Sequence, residues 1–495
     1  MSLILVIIPI LAALAIFAGS KAKLTATIAA FITFLLGLGA IFSWDHPVWG
    51  ITLEVLNKPN IHLSLGFYDG MSYIMVALSV IVLLTAVLSG KCPEGREKLW
   101  YSSILLIGGG GIGAFLSRDL FFFYAFHELA LIPTFLMIGM LGSGERKEAA
   151  WKITIYLAFG SIILLAGLIW LVGASGAETW LFDDIFAGSI DPSAQKGIAA
   201  LLLIGFGVLI SLFPFHSWAA PAYASAPAPV AMLHAGVLKK FGLYGLIRLY
   251  PMVSAGMQPW LCILIVLLLC NILWVGYVTL NQKRLDTMLG NSSVMHMGYI
   301  FLAYAALIEA GSFEANPIAK PAAVVLMFAH GISIALLFML TDTVRRKTGT
   351  VELAELGGLA KAAPRLTFLF GLGAMASIGL PGLANFSGEV MVFLAGFHSY
   401  NGDSFSIVQI ATILALWGVV ISAVYMLRAF RQTFQGPTVP VTERKHVKDF
   451  GLFCQIPAAI LAASLLVVGI MPNILVKIIK KSDKAPVETE QTSNS

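Results

Sequence analysis

The 495-residue sequence predicts an all-α integral membrane protein of about fourteen transmembrane helices, two of them broken, with inverted five-helix repeats. Three observations carry this. Apolar residues make up 58% of the chain and charged residues only 12%, against about 25% charged in an average soluble chain. The apolar residues gather into runs long enough to cross a bilayer, and two of those runs are split by proline and glycine at comparable places. Spread over a water-soluble fold, this composition would expose greasy patches of a size that soluble proteins avoid.

A crossing helix needs about 20 mostly apolar residues. Such runs fall near 3–19, 24–43, 70–90, 99–117, 119–142, 150–173, 197–218, 226–250, 258–281, 289–309, 320–342, 364–399, 405–431 and 451–479. The first has no basic residue before it and carries Lys21 and Lys23 after it, the reverse of a secretory signal, so it is expected to stay as a span. Loops after odd-numbered spans hold 20 Lys and Arg and those after even-numbered spans five. Because basic residues concentrate in cytoplasmic loops, this places both termini on the outer face. From Lys480 onward the chain is polar and expected to be disordered.

The first interruption reads SLFPFHSWAAPAYASAPAPV, with Pro214, Pro221, Pro227 and Pro229; the second reads ASIGLPGLANFSGEV, with Pro381 and Gly382. Irregular backbone at membrane depth persists only where protein or a wet cavity satisfies its amides and carbonyls. Paired interruptions point to an inverted-repeat transporter, although ordinary proline kinks are also common in membrane helices. The expected organisation is N-terminal spans and an outer loop over 1–69, repeats over 70–250 and 251–431, and a C-terminal span with a polar tail over 432–495.

Ionisable groups inside spans are costly, about 2.5–3.5 kcal/mol at a helix centre, so each needs a partner or a purpose. Glu128 lies mid-way along the fifth span, Lys239 and Lys240 mid-way along the eighth, and Glu389 just past the second break. His127, His234, His296 and His330 also lie in spans, and His216 sits at the first break. Imidazoles titrate near neutrality and suit proton transfer; a helix-to-helix hydrogen bond is the plainer role for any one of them. For Glu128 the plainer role is an ion pair that locks two helices. Lys239 and Lys240 are adjacent and point about 100° apart on a helix, so only one is expected to line a given path.

Other chemistries find no support. Cys92, Cys262, Cys270 and Cys454 form no CxxC, so no disulfide framework, zinc site or iron–sulfur cluster is indicated. The net charge of +5 is small, which argues against nucleic-acid binding. Gly108, Gly110 and Gly113 match GxGxxG but lie in an apolar run without a preceding strand, so helix packing explains them better than a dinucleotide. No GxxxxGK[ST] is present, so ATP hydrolysis is not indicated.

The stretches FHELALIPTFLMIGMLG, FPFHSW, APAPVAMLHAGVLKKFGLYGLIR, NSSVMHMGYIFL, FAHGISIALLFML and IGLPGLANFSGE are similar to the antiporter-like subunits of respiratory complex I and the related multisubunit cation/proton antiporters. The similarity runs over roughly 70–431. It implies a proton path through Glu128, Lys240, His296, His330 and Glu389, with Lys239 and His216 beside it. It also implies no cofactor on this chain, and as partners the L- and N-type antiporter-like chains, small membrane chains and a peripheral redox arm. PGLANFSGE ends in Glu389, as in the M-type branch, where other branches carry lysine. Two departures stand out. The family's lysine five residues before the proline of its PxH motif is Leu209, which cannot carry a proton, so Lys240 or Lys239 would have to partner Glu128, or conduction is altered or lost. The family's DLKR is replaced by Asp286 and Thr287, with Lys283 and Arg284 upstream. A stand-alone or multisubunit cation/proton antiporter, a hydrogenase-type complex subunit and a scaffold that has lost conduction are the alternatives.

Overall fold

The computed structural model describes residues 2–42, 50–402, 404–438, 449 and 451–482. Two helices open the chain, α1 (Ser2–Phe17) and α2 (Ala22–Phe42). An antiparallel hairpin follows, β1 (Ile51–Asn57) and β2 (Asn60–Leu65), where the sequence reading places only an outer loop. Asp69 then caps α3 (Gly70–Leu88), its side chain accepting from the Ser72 N–H at 3.0 Å.

Next come α4 (Glu97–Leu116), α5 (Leu120–Leu141), α6 (Arg146–Ser175), the short α7 (Phe182–Ala187) and α8 (Pro192–Ile210). Asp119 caps α5 and Asp191 caps α8. After the first break lie α9 (Ala219–Ser225) and α10 (Ala228–Leu233), a π turn over His234–Leu238, and α11 (Lys240–Met257). α12 (Leu261–Leu269), a second π turn over Cys270–Val275 and α13 (Gly276–Leu280) lead to α14 (Leu285–Ala310) and α15 (Ala319–Thr348). The rest is α16 (Leu359–Ala362), α17 (Pro364–Ile378), α18 (Ala384–Gly396), α19 (Ile407–Phe434), α20 (Leu452–Ile470) and α21 (Asn473–Ser482).

Helices fall within each of the fourteen apolar runs, but length and apolarity alone license ten crossings among the described residues, or eleven if α20 and α21, bent by 73°, count as one. The shortfall has physical causes. α1 and α17 are only 16 and 15 residues long, and the run from Ala228 to Leu280 counts as one although Val253 departs from helical geometry and Gln258–Trp260 tightens into a 3₁₀ turn. The tail expected to be disordered from Lys480 is helical to Ser482; its remainder and the basic residues Arg444, Lys445 and Lys448 lie outside the described residues.

α3, α14 and α15 are buried along almost their whole length; α3 is apolar nearly all round, as a buried helix should be, whereas α14 and α15 carry polar groups inside. The outward faces of α6 and α19 carry Trp151, Ile162 and Trp417, all more than half exposed. In water that surface would be unstable; in lipid it is the natural boundary. The glycines of α4 are packing devices. A Cβ at Gly110 would sit 2.6 Å from the Phe126 carbonyl oxygen of α5, and one at Gly108 would strike Leu83 of α3.

The two interrupted spans end alike. α8 stops at Ser211 with φ of 67°, and α17 stops at Gly379 with φ of 82°, both left-handed caps. Each break releases the chain for several residues before a short second helix begins, α9 in one case and α18 in the other.

Candidate functional site

The site grows from the π turn. Widening the helix by one residue lets the Lys239 N–H reach the His234 carbonyl at 3.0 Å, five residues back, and shifts the register of the following side chains. Such turns are often found at functional positions. The two lysines therefore diverge. Lys239 Nζ points to Ser293 Oγ of α14 at 3.4 Å and lies over the Tyr223 ring. Lys240 Nζ donates to the Ala235 carbonyl at 2.5 Å and meets His330 Nδ1 of α15 at 2.9 Å. Both lysines are buried, and among the described residues neither is within ion-pair distance of a carboxylate.

From Lys240 the titratable groups run inward to the second break. The rings of His330 and His296 have centroids 5.6 Å apart. His296 Nδ1 bonds the Ser292 carbonyl at 2.7 Å, and its Nε2 reaches the Ser377 carbonyl, in the last turn of α17, at 3.0 Å. Two residues on, Gly379 has no side chain, and the space a Cβ would fill holds the carboxylate of Glu389 from α18. The left-handed backbone favours glycine there, and a side chain in its place would have to displace the Glu389 carboxylate. Lys240, His330, His296, Ser377 and Glu389 thus form one contiguous row. Because one proton serves each such contact, either Lys240 donates to His330 Nδ1 or, once neutral, accepts from it.

Glu128 does not join that row directly. The sequence reading offers Lys240 or Lys239 as its partner; in the structure its Oε1 accepts from Ser161 Oγ of α6 at 2.6 Å and meets His127 Nδ1 at 3.3 Å. The Phe241 ring, stacked on His127 with centroids 4.2 Å apart, stands beside Lys240 instead. Leu209, where the resemblance implies a lysine, is buried in the apolar core. His216 at the first break is half-buried and stacked on Phe213 at 5.3 Å, and it lines a cleft of about 280 Å³ with Gln282, Thr287 and Asn291.

Two charged clusters escape sequence reading. Asp286 is buried and accepts from Arg284 at 2.8 Å and from Arg345. Arg345 also donates to Ser143 Oγ and the Ala224 carbonyl, so one carboxylate ties the start of α14 to the ends of α5, α9 and α15. The replacement of DLKR is therefore an anchor. At the opposite ends of the helices Asp69 holds Arg248 at 2.9 Å and Lys320 at 3.2 Å. Burial pushes the Asp69 carboxyl up, but Arg248 and Lys320 outweigh it and hold the group down at about 2. Nothing in the linear order marks these partners, which lie 179 and 251 residues from Asp69.

A family profile described as NADH:quinone oxidoreductase/Mrp antiporter, TM, matches residues 117–415. NAD(P)H-quinone oxidoreductase chain 4 1 of Synechococcus sp. (strain JA-3-3Ab) is 33% identical over 412 residues, spanning 82% of this chain and 77% of that one. NADH-quinone oxidoreductase subunit M of Rickettsia felis is 30% identical, spanning 86% and 83%. A chain of respiratory complex I from Thermus thermophilus with bound NADH superposes with a TM-score of 0.85 at 25% identity, covering 98% of this chain and 99% of that one. A chain of the Mrp complex from Dietzia sp. shares the fold, with a TM-score of 0.81 at 20% identity over 97% and 96%.

Proposed function

The chain belongs to the NADH:quinone oxidoreductase/Mrp antiporter membrane family, and from that premise we propose that it is the M-type subunit of an NADH:quinone oxidoreductase and moves protons through its interior. It is a multi-pass membrane protein and part of an oxidoreductase complex. The finer reading is that it sits in a bacterial cell membrane with both termini outside, and that electron transfer and quinone chemistry fall to partner chains.

The observation that supports this best is the buried row Lys240, His330, His296 and Glu389, contiguous from the π turn to the second break. In the mechanism, a proton arriving at Lys240 passes to His330 Nδ1 as His330 releases one from Nε2, which has no hydrogen-bond partner among the described residues, toward His296; His296 in turn releases one toward Glu389. Charging one group changes the affinity of the next. At 4 Å and an effective dielectric of about 20 such a contact is worth about 4 kcal/mol, enough to set the direction of transfer. Glu389 in the PGxxxFxGE position and the names of the relatives favour this over a stand-alone antiporter.

The test is Lys240→Ala in the assembled complex in sealed vesicles, with the proton-to-electron ratio read from a pH dye against quinone reduction. The ratio is expected to fall. A ratio equal to that of the parent refutes the path.

A further inference from the structure

We propose that His127 is the inner proton acceptor for Glu128 and hands the proton on toward His234. This rests on the reading of the chain as a proton path and supplies the step which that path lacks, from the rim to the lysine pair. Glu128 faces outward, with 31% of its side chain exposed, whereas His127 faces inward at 3%. Adjacent residues on a helix do not face one another, yet the Glu128 carboxylate folds back to His127 Nδ1. Ser161 holds that carboxylate from the other side. Among the described residues no lysine or arginine pairs with Glu128, so the imidazole is the basic group at its oxygen.

Further inward lies His234, whose ring offers an open nitrogen. His234 lies within electrostatic range of His127, Lys239 and Lys240. Its Nδ1 meets Tyr223 OH at 3.2 Å, while its Nε2 is buried with no hydrogen-bond partner among the described residues. A buried ring nitrogen without a partner calls for water or a donor. Tyr223 in turn lies beneath the Lys239 ammonium. In the transfer, the O–H bond of protonated Glu128 breaks as an N–H bond forms at His127 Nδ1. The proton on the opposite ring nitrogen then leaves toward His234, and His127 returns to neutral with its tautomer exchanged.

The stacking of His127 on Phe241 offers a purely structural role, so the test compares side chains that keep the ring with side chains that keep the proton. Three variants of the assembled complex in sealed vesicles are compared by proton-to-electron ratio: His127→Phe, His127→Gln and His127→Lys. Removing a proton carrier slows transfer by about 100-fold or more, so the Phe and Gln variants are expected to lose pumping and the Lys variant to keep it. A parent-like ratio in the Phe or Gln variant overturns the proposal. Should neither assemble, the Lys variant decides: a parent-like ratio upholds it and a lost one overturns it. Lys240→Ala runs alongside. Pumping lost there but kept in His127→Gln refutes only the His127 step; pumping kept in both refutes the path itself.

Discussion

Glu128 of α5 and Glu389 of α18 sit in opposite surroundings. Glu128 is nearly one-third exposed at the side of the chain and is held by a serine and a histidine. Glu389 is 4% exposed and pressed onto the glycine that ends α17. One carboxylate is poised where a neighbour can reach it, and the other is sealed behind a backbone break. The two breaks differ in the same sense. The first turns on a serine in the left-handed region and opens onto the cleft beside His216, whereas the second turns on a glycine whose missing side chain makes room for the acid.

The comparison breaks most sharply at Gly379. Gly379→Ala forces a left-handed alanine and drives its Cβ into Glu389, a combined cost of about 3 kcal/mol. The variant complex is expected to melt lower and to pump less, measured by thermal unfolding in detergent and by the proton-to-electron ratio. Asp69 tests the far end of the bundle, where it ties α3 to α11 and α15. Its folded value of about 2 lies below the ordinary 3.8, so its contribution is full above about pH 4 and is lost as pH falls through about 2. That contribution is about 2 kcal/mol at neutral pH. Asp69→Asn should therefore lower thermal stability at pH ~7, and the gap from the parent should shrink as the buffer is taken to pH ~3.

Ser161→Ala removes the 2.6 Å hydrogen bond to Glu128 and is expected to cost about 1.5 kcal/mol, visible as a shift in the infrared carboxylate band of Glu128. No shift would mean that serine does not hold the acid. Smallest is Ser211→Gly, which relieves a left-handed side chain and should stabilise by less than about 1 kcal/mol. A loss there would show that the first break needs its hydroxyl, and the likeness between the breaks would fail.

Much of this was legible before any coordinates. Both interruptions are where Pro214 and Pro381 announce them, and His296, His330 and Lys240 stand out as polar residues in apolar runs. The glycine run of α4 is a packing surface, as its membrane setting implies. Other features were hidden for definite reasons. An ideal helix turns neighbours about 100° apart, which argues against a His127 to Glu128 contact; side-chain torsion makes it. The same geometry separates Lys239 from Lys240, but only the π turn decides that one reaches Ser293 and the other His330. Asp286 looks like a lost basic residue until Arg345 arrives from α15. The hairpin is legible too, since ITLEV and IHLSL each alternate apolar with polar residues, although the sequence reading assigns an outer loop there.

Residence in the membrane, the position of each interruption and the inventory of titratable groups were determined by the sequence itself. Partition into lipid depends on the composition of each segment, and proline or glycine acts where it stands. Which groups meet was decided only by the tertiary structure. Lys240 finds His330 across 90 residues of chain, and His296 finds Ser377 across 81. A hydrogen bond or a proton transfer is set by ångströms between side chains, and packing of whole helices is what brings those atoms within reach.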